Sequence, residues 1–228
     1  MYIRFWEKFP NLIVGTTTKN SGNFALNNSQ IQHENIYLKR NQFSLELGFD
    51  HLLLLSQTHS DIVINADISK LPREGDAFFT SCSQKLLGIL TADCMPIFIY
   101  HPKAKIIGLV HSGRQGLHNK ITNKTLLCIK NQYDIQLKDI YILIGPHICP
   151  ACYSLDSDIL SSFGLSQHEK TLDMPSILIK NLIQLGIPCD QIELSNYCTY
   201  CSVVNNEPLF YSHRNGHSER ILSFIGMI

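Results

Sequence analysis

The sequence predicts an α+β protein in which mixed, largely antiparallel sheets form a layered α/β sandwich with helices on the outside. Two observations lead to this prediction. Short apolar, β-branched runs outnumber stretches with helical periodicity, and most of them fall into groups that look antiparallel. The 228 residues also contain no Gly/Ser/Pro-rich linker, so we expect one domain over residues 1–228.

The predicted strands follow the apolar runs along the chain, and each ends at a turn or a polar break. They are Leu12–Thr18, Leu52–Leu55, Ile62–Ile64, Ala77–Thr80, Leu86–Leu90, Pro96–Tyr100, Ile106–Val110, Ile140–Ile144, Gln191–Leu194, Leu209–Tyr211 and Ile221–Ile225. One helix is predicted at Leu117–Tyr133 from its apolar face, and another begins at Pro175 and ends at Gly186. A further helix is expected within Glu34–Leu47.

Charge and hydropathy exclude several classes of partner. Charged residues make up 17% of the chain and the net charge is zero, so nucleic acid and anionic membranes are not expected partners. No apolar run approaches the ~20 residues of a membrane span. The N-terminus lacks the features of a signal peptide, and we therefore expect a cytoplasmic protein. Whether it forms a homodimer stays open.

The stretch Thr91–Gly116 holds the first candidate site, because its two apolar runs predict an antiparallel hairpin. A hairpin centred between Pro102 and Lys103 places Cys94 opposite His111. Opposed side chains have Cβ atoms roughly 4.5–5.5 Å apart, close enough to share a metal ion or to act as nucleophile and base. Each residue taken alone also suits an ordinary structural role.

Two CxxC pairs, Cys149/Cys152 and Cys198/Cys201, stand among the eight cysteines. In a reducing compartment such clusters favour metal binding or catalysis over disulfides. However, the gap between the pairs is far longer than the ~15–20 residues usual in zinc ribbons. A structural zinc site and reduced thiols lining a wall remain the two interpretations. The other isolated cysteines, Cys82, Cys128 and Cys189, are assigned to packing.

Several motifs together resemble the YfiH family, also called the laccase-domain or multicopper polyphenol oxidase family, to which the FAMIN-like purine nucleoside phosphorylases belong. They are SQTHSDIV, GDAFFT, LTADCMPI, GLVHSGRQGL, LIGPHICPACY, CTYC and FYSHRNGHSERILSFIG. The similarity runs from about Gly15 to the C-terminus. It implies the sandwich fold and a zinc ion held by His59, Cys94 and His111, with copper as the alternative metal.

The resemblance also implies an activity: phosphorolysis of adenosine, inosine and methylthioadenosine, and deamination of adenosine. The expected partners are a purine nucleoside and phosphate. Deamination needs a carboxylate that moves a proton, for which Asp76 and Asp93 are the catalytic candidates; both also suit structural roles in loops. Phosphorolysis needs cations: Arg214 is the first candidate for binding substrate, and Arg220 is a second candidate that equally suits the role of a surface charge. Asn27 is the candidate for contacting the base, with an exposed Asn in a turn as the equal alternative.

The sequence departs from the family pattern at two candidate phosphate-binding cations. Where the family usually reads H-A-G-W-R-G, residues 111–116 read HSGRQG, so Gln115 replaces an Arg and Arg114 replaces a Trp. Asn215 stands where the family has the second Arg of a pair. Arginine is not freely replaced at a bidentate site. We expect the side chain of Arg114 to point elsewhere and to compensate only in part.

Three other functions compete with this one. A metal-independent cysteine hydrolase or amidase, with Cys94 as nucleophile and His111 as base, would suit a role in peptidoglycan editing. A multicopper oxidase is disfavoured because the sequence has no His-x-His pair. The last alternative is a metal-binding scaffold without activity.

Overall fold

The computed structural model describes residues 1–26, 30–166 and 168–228. Within these ranges the chain forms thirteen strands and five α-helices. The strands are β1 (Tyr2–Phe5), β2 (Leu12–Thr17), β3 (Leu52–Leu54), β4 (Val63–Asn65), β5 (Ala77–Thr80), β6 (Leu86–Thr91), β7 (Met95–His101), β8 (Ile106–Ser112), β9 (Tyr141–Ile144), β10 (Ile192–Leu194), β11 (Val203–Val204), β12 (Glu207–Pro208) and β13 (Ile221–Met227). The helices are α1 (Gln30–Glu46), α2 (Arg114–His118), α3 (Ile121–Tyr133), α4 (Ser157–Ser161) and α5 (Met174–Leu185).

Two large sheets contain most of the strands. One has five strands in the order β1-β2-β13-β6-β3, and the other has six in the order β10-β9-β7-β8-β5-β4. Three neighbouring pairs are parallel, namely β3–β6, β4–β5 and β9–β10, and the remaining pairs are antiparallel. Strands β11 and β12 form a separate hairpin. The mixed, largely antiparallel sheets predicted from the sequence are therefore confirmed.

The sheets and helices stack in four layers. Phe98 of β7 and Leu87 of β6 belong to one buried cluster between the two sheets. On the outer face of the six-stranded sheet, Ile129 of α3 packs in a second cluster with strand residues. On the outer face of the five-stranded sheet, the rings of Phe43 from α1 and Phe224 from β13 lie 5.0 Å apart, edge to face. The helices thus cover the outside, as predicted.

Strands β7 and β8 lie at the centre of the molecule, and every residue in both is buried. One face of these strands meets the other sheet and the opposite face meets helices, so both faces require apolar side chains. This is why their sequences are nearly continuous apolar runs without the alternation of half-exposed strands. The hairpin can therefore hold side chains at its open end in fixed positions.

The predicted register of this hairpin is wrong by two residues. Pro96, and not Cys94, lies opposite His111, because β7 extends to His101 and the turn before Ile106 has four residues. A shift of two residues moves the pairing along the strand but keeps each side chain on its face of the sheet. Cys94 and His111 therefore still share the same end and the same side of the hairpin.

The helix predicted over Leu117–Tyr133 is two helices. Lys120, between α2 and α3, has a left-handed backbone with a φ of 56°, which interrupts the helical path. By contrast, α5 forms as predicted at Pro175: the carboxylate of Asp173 caps its N-terminus by accepting from the backbone N–H of Ser176 at 3.0 Å, and Gly186 ends it with a φ of 101°.

Two other predictions of secondary structure differ from the structure. Leu209–Tyr211 is not a strand; the backbone N–H of Leu209 instead donates to the carbonyl of Ser202. Strand β1 was not predicted, and it pairs with β2 at the edge of the five-stranded sheet. In the described parts of the chain, no helix combines the length and the apolar character that crossing a membrane requires.

Candidate metal centre and active-site cavity

A cavity of about 1110 Å³ opens at the end of the β7–β8 hairpin. It forms where the chain leaves the five-stranded sheet at Thr91 and enters the six-stranded sheet at Met95. The connecting residues include Asp93, whose φ of 92° is unusual for a residue with a side chain. His59, Cys94 and His111 all line the cavity.

The structure brings these three residues together around one point. One nitrogen from each imidazole and the sulfur of Cys94 lie within 4.8 Å of one another. The distance from Cys94 Sγ to His59 Nε2 is 3.9 Å, and the two imidazole rings are edge to face with centroids 4.9 Å apart. Ligands at usual zinc distances in a tetrahedral site have sulfur and nitrogen roughly 3.6 Å apart. The three side chains therefore fit one metal ion with little movement.

Asp76 holds two of the three side chains in place through a single carboxylate. Its Oδ1 accepts from His111 Nδ1 at 2.7 Å, which leaves Nε2 of His111 as the nitrogen available to a metal. Its Oδ2 accepts from the backbone N–H groups of Thr58 and Ser60, at 3.2 and 2.6 Å, and from the Ser60 hydroxyl at 2.7 Å. Thr58 and Ser60 flank His59, so the same carboxylate fixes the loop that carries the second imidazole.

The placement of Asp76 favours a positioning role over the predicted proton transfer to a substrate. Asp76 is fully buried and stands behind His111, outside the lining of the cavity. Its contacts reach the cavity through His111 and the loop that carries His59, which is the arrangement of a positioning residue. A carboxylate that orients a ligating histidine is a common companion of metal sites.

The charges in the cluster reinforce one another. Burial alone would raise the pKa of Cys94, but the charge of His111 and hydrogen bonds from both histidines lower it to about 6. Burial alone would lower the pKa of His111, but the Cys94 thiolate and Asp76 raise it to about 9. Burial likewise opposes ionisation of Asp76, yet hydrogen bonds from His111 and Ser60 lower its pKa to about 2. At neutral pH the metal-free pair is therefore a thiolate and an imidazolium. The thiolate is the form that ligates metals, and a metal that also bound His111 would displace the proton from its Nε2.

Gly113 provides the space that Cys94 occupies. A Cβ atom at position 113 would lie 2.6 Å from Cys94 Sγ and 3.4 Å from Cδ2 of His59. The first distance is far inside a normal contact, so any larger residue would displace the sulfur. The glycine is needed here for close approach and not for its backbone angle, since φ at Gly113 is −81°.

Asp93, the other predicted acid, connects three segments of the site. Its Oδ1 accepts from Thr199 Oγ1 at 2.7 Å, and its Oδ2 accepts from the backbone N–H of Arg214, also at 2.7 Å. Its carbonyl accepts from the backbone N–H of Ile148. Asp93 lines the cavity, but each of its carboxylate oxygens already has a donor. This contact set favours a structural role over proton transfer.

Of the three predicted substrate-binding residues, the two arginines line the cavity. Arg214 lines the cavity, with its guanidinium held by Ser154 through Nη1–Oγ at 3.2 Å and Nη2–O at 2.9 Å. Arg220 lines it too, but its Nη1 donates to the carbonyls of three residues, 217–219. Asn27, which is predicted to contact the base, lies outside the described residues.

The expectation that Arg114 points elsewhere is wrong. As the first residue of α2, Arg114 lines the cavity and interacts with the hydroxyl of Tyr153. Gln115 also lines the cavity, whereas Asn215 donates from its side chain to the carbonyl of Tyr200. An arginine is therefore present in the wall one position before the place where the family pattern has one.

Two contributors were missed by the sequence analysis. The side chain of Gln57 donates to the carbonyl of Leu90 at 2.9 Å and accepts from its N–H at 2.7 Å, which ties the His59 loop to the end of β6. Tyr153 lines the cavity, and Arg214 lies 5.3 Å from its ring centroid. Only the position of Gln57 in the SQTH motif offered a signal, and nothing in the sequence around Tyr153 distinguished it from a packing residue.

The donor set limits the metals that suit the site. One thiolate and two imidazoles match both zinc and copper, which accept nitrogen and sulfur, and do not match the oxygen-seeking magnesium or calcium. The described residues supply three ligands to this group. Three protein ligands are typical of catalytic zinc sites, in which one position is left for water or substrate.

Comparison with known proteins agrees with this architecture. Residues 14–228 match the family model described as multi-copper polyphenol oxidoreductase laccase. A purine nucleoside phosphorylase of Clostridium acetobutylicum is 32% identical over 220 residues, which covers 92% of this chain and 89% of that protein. The crystal structure of YfiH from Bacillus licheniformis is similar with a TM-score of 0.86 and 25% identity, covering 100% of this chain and 96% of the other. The structure of YlmD from Geobacillus stearothermophilus gives a TM-score of 0.85 at 25% identity, covering 99% and 96%. The chain therefore belongs to the multi-copper polyphenol oxidoreductase laccase family, the family of YfiH and YlmD.

Proposed function

We propose that this protein is a zinc-dependent purine nucleoside phosphorylase whose metal is held by His59, Cys94 and His111. The observation that carries the proposal is the convergence of these three ligand atoms in the wall of a large cavity that also contains arginine side chains. The relative from Clostridium acetobutylicum, which carries the name purine nucleoside phosphorylase, supports the substrate class.

The protein's own residues prepare the site for the metal. Asp76 orients His111 and the His59 loop, and the low pKa of Cys94, about 6, keeps its sulfur as a thiolate at neutral pH. When bound, an ion with three protein ligands keeps an open coordination position and acts there as a Lewis acid. The ligands thus place the polarising charge directly at the cavity.

Phosphorolysis transfers the ribosyl group from the purine to phosphate, and the protein must hold a dianion next to the sugar. Arg214 and Arg114 supply positive charge to the cavity wall. Ser154 braces the guanidinium of Arg214 with two hydrogen bonds, so the side chain is oriented before phosphate arrives. Arg114 offsets the replacement of the family arginine by Gln115.

The purine fits the apolar part of the same cavity. Ile148, Met174 and the ring of Tyr153 line one side of it, and aromatic and aliphatic surfaces of this kind bind a flat heterocycle. The cation of Arg214 near the Tyr153 ring places the polar and apolar parts of the wall next to each other. A nucleoside has the same division into an apolar base and a polar sugar.

Deamination of adenosine has weaker support than phosphorolysis. A zinc deaminase needs a carboxylate that exchanges protons with the substrate. Among the described residues that line the cavity, Asp93 is the one acid, and both its oxygens accept hydrogen bonds from Thr199 and Arg214. We therefore propose deamination as a secondary activity at most, to be measured with adenosine in phosphate-free buffer.

One observation supports a second candidate function, that of a metal-independent cysteine hydrolase. Asp76, His111 and Cys94 form a continuous chain in which the carboxylate orients the imidazole and the imidazole interacts with the thiolate. This is the order of groups in cysteine nucleophiles activated by a histidine. In that case the exposed His59 would have no catalytic task, and removal of metal would leave activity intact.

The experiment that separates these candidates measures hypoxanthine release from inosine with and without phosphate, using protein of known zinc content. We expect release only with phosphate, and loss of release in Cys94→Ala. Arg114→Met should raise the KM for phosphate about ten- to a hundredfold, since hydrogen bonds to charged groups contribute roughly 1.5–3 kcal/mol. If metal-free protein instead released no hypoxanthine but hydrolysed a peptide or amide substrate, and alkylation of Cys94 abolished that hydrolysis, the cysteine hydrolase would be established.

We also propose a cellular compartment and a domain organisation for this protein. A site built on a thiolate requires a reduced Cys94, which favours the cytoplasm. A single domain over residues 1–228 is supported by the pairing of β13, near the C-terminus, with both β2 and β6. The strands that hold the ends of the chain are thus part of the same sheet.

A further inference from the structure

The two CxxC pairs, which the proposed function does not use, come together in the structure. Each lies in the loop that follows one of two adjacent strands, β9 and β10, which pair in parallel. Parallel neighbours end at the same edge of a sheet, so the loops that follow them lie side by side whatever their separation in sequence. The backbone of His147 forms a bridge with Cys198, which aligns the loops further.

The four sulfur atoms form a compact group. The Sγ atoms of Cys149, Cys152, Cys198 and Cys201 lie within 4.8 Å of one another, and Cys149 and Cys201 are 4.0 Å apart. A tetrahedral zinc ion with Zn–S bonds of about 2.3 Å requires sulfur atoms roughly 3.8 Å apart. The group is therefore close to the size of a filled site and too wide for a disulfide, whose sulfurs are ~2.05 Å apart.

Backbone amides point at one of these sulfurs. The N–H of Cys149 donates to Cys198 Sγ at 3.2 Å, and the amides of Tyr200 and Cys201 also interact with it. Cys198 is buried, so these donors replace water around it. Amide donors directed at a sulfur stabilise a thiolate, and a thiolate is what zinc binds.

We propose that Cys149, Cys152, Cys198 and Cys201 form a second metal site, which binds a structural zinc ion. Four thiolates and no other ligand give the closed, tetrahedral coordination of structural zinc. Such a site differs from the His59–Cys94–His111 group, which offers three ligands beside a cavity.

The position of the cluster indicates what the ion would stabilise. Thr199, between the last two cysteines, donates to the Asp93 carboxylate, and Ile148, next to Cys149, donates to its carbonyl. Tyr153, next to Cys152, lines the cavity. Four bonds to one ion would fix these loops to each other and, through Asp93, to the neighbouring Cys94. The second zinc would thus hold the cavity wall together without contacting substrate.

The test counts zinc by elemental analysis in protein purified with zinc present. We expect about two zinc ions per chain in the wild type and about one in the double variant Cys149→Ser/Cys152→Ser. Cys128→Ser is the matched control, because Cys128 is an exposed thiol on α3 outside the cluster, and it should retain both ions. Cys94→Ala should lose the other ion and keep this one, so the two sites are distinguished even if the enzyme proposal fails.

A second measurement uses the unaltered protein, in case the double variant does not fold. Native wild type is treated with iodoacetamide before and after a chelator, and each cysteine is followed by peptide mass spectrometry. We expect the four cluster thiols to be protected until the chelator is added, while Cys82 and Cys128 react throughout. Equal zinc content in the wild type and the double variant, cluster thiols that react fully in zinc-loaded protein, or a native disulfide between any two of them would overturn the proposal.

Discussion

Replacement of Asp76 by Asn tests how the metal site is held. The carboxylate accepts from His111 on one oxygen and from Thr58 and Ser60 on the other. An amide has only one oxygen, so its NH2 group must face either His111 Nδ1 or the Ser60 donors. In the first case His111 would carry its proton on Nε2 and lose its ligand nitrogen. In the second case two backbone donors next to His59 would lose their acceptor.

The size of the effect follows from these contacts. Loss of the partner that orients a ligating histidine typically costs 10–100-fold in metal affinity, which is about 1.4–2.8 kcal/mol. We expect Asp76→Asn to fall at the upper end, because one carboxylate supports two of the three ligands. The substitution keeps the size of the side chain, so the buried position should remain filled.

The assay measures zinc bound per chain at a series of buffered free zinc concentrations. The transition that belongs to the site is the one that Cys94→Ala removes. Asp67→Asn is the control: Asp67 also accepts several hydrogen bonds, from Thr80, Ser81 and Tyr133, but these residues lie outside the cavity lining. Unchanged zinc affinity in a folded Asp76→Asn variant, or an equal loss in Asp67→Asn, would refute the positioning role.

Three more predictions address the site and the fold. Gly113→Ala should displace the sulfur of Cys94 and reduce zinc affinity at least tenfold, while the melting temperature changes little. Zinc titration and calorimetry measure these two quantities, and unchanged zinc affinity would contradict the predicted clash. In metal-free protein, alkylation of Cys94 should have its midpoint near a pH of about 6, against ~8.5 for a free thiol, and His111→Ala should move the midpoint upward. Burial alone would raise the pKa of Asp67, but hydrogen bonds and Lys85 lower it well below its usual value. The ionised carboxylate therefore stabilises the fold at pH values above the unfolded pKa of ~3.9. This stabilisation is lost as the pH falls through the lower pKa of the folded state. Urea unfolding should therefore show a loss of roughly 1–3 kcal/mol in Asp67→Asn at pH 7 that shrinks in acid; a loss independent of pH would exclude this cause.

The hairpin shows how far sequence patterns reach. Two apolar runs were enough to place Cys94 and His111 at one end of it, since both faces of the central strands are buried. The turn length could not be read from the sequence, and the predicted register was therefore wrong by two residues. The prediction of a shared site survived because a shift of two preserves the side of the sheet.

Contacts between distant segments lay beyond sequence reasoning. The separation between the CxxC pairs argued against a common site, but parallel pairing of β9 and β10 makes that separation irrelevant. Likewise, the direction of the Arg114 side chain depends on where α2 begins. The apolar pattern predicts one helix over Leu117–Tyr133 and does not separate α2 from α3. The sequence predicts Asp76 as part of the site, but the positioning role follows only from its hydrogen bonds to His111 and to the loop around His59.

The most direct test of the central claim is phosphorolysis of inosine during zinc titration of metal-free protein, with His59→Asn in parallel. His59 is exposed and has a φ of 58°, a conformation that Asn tolerates, so the variant should fold. We predict that wild-type activity rises in proportion to zinc bound at the site removed by Cys94→Ala, and that His59→Asn loses both the zinc and the activity. Full activity without metal, or an active His59→Asn variant with no zinc at this site, would contradict the account.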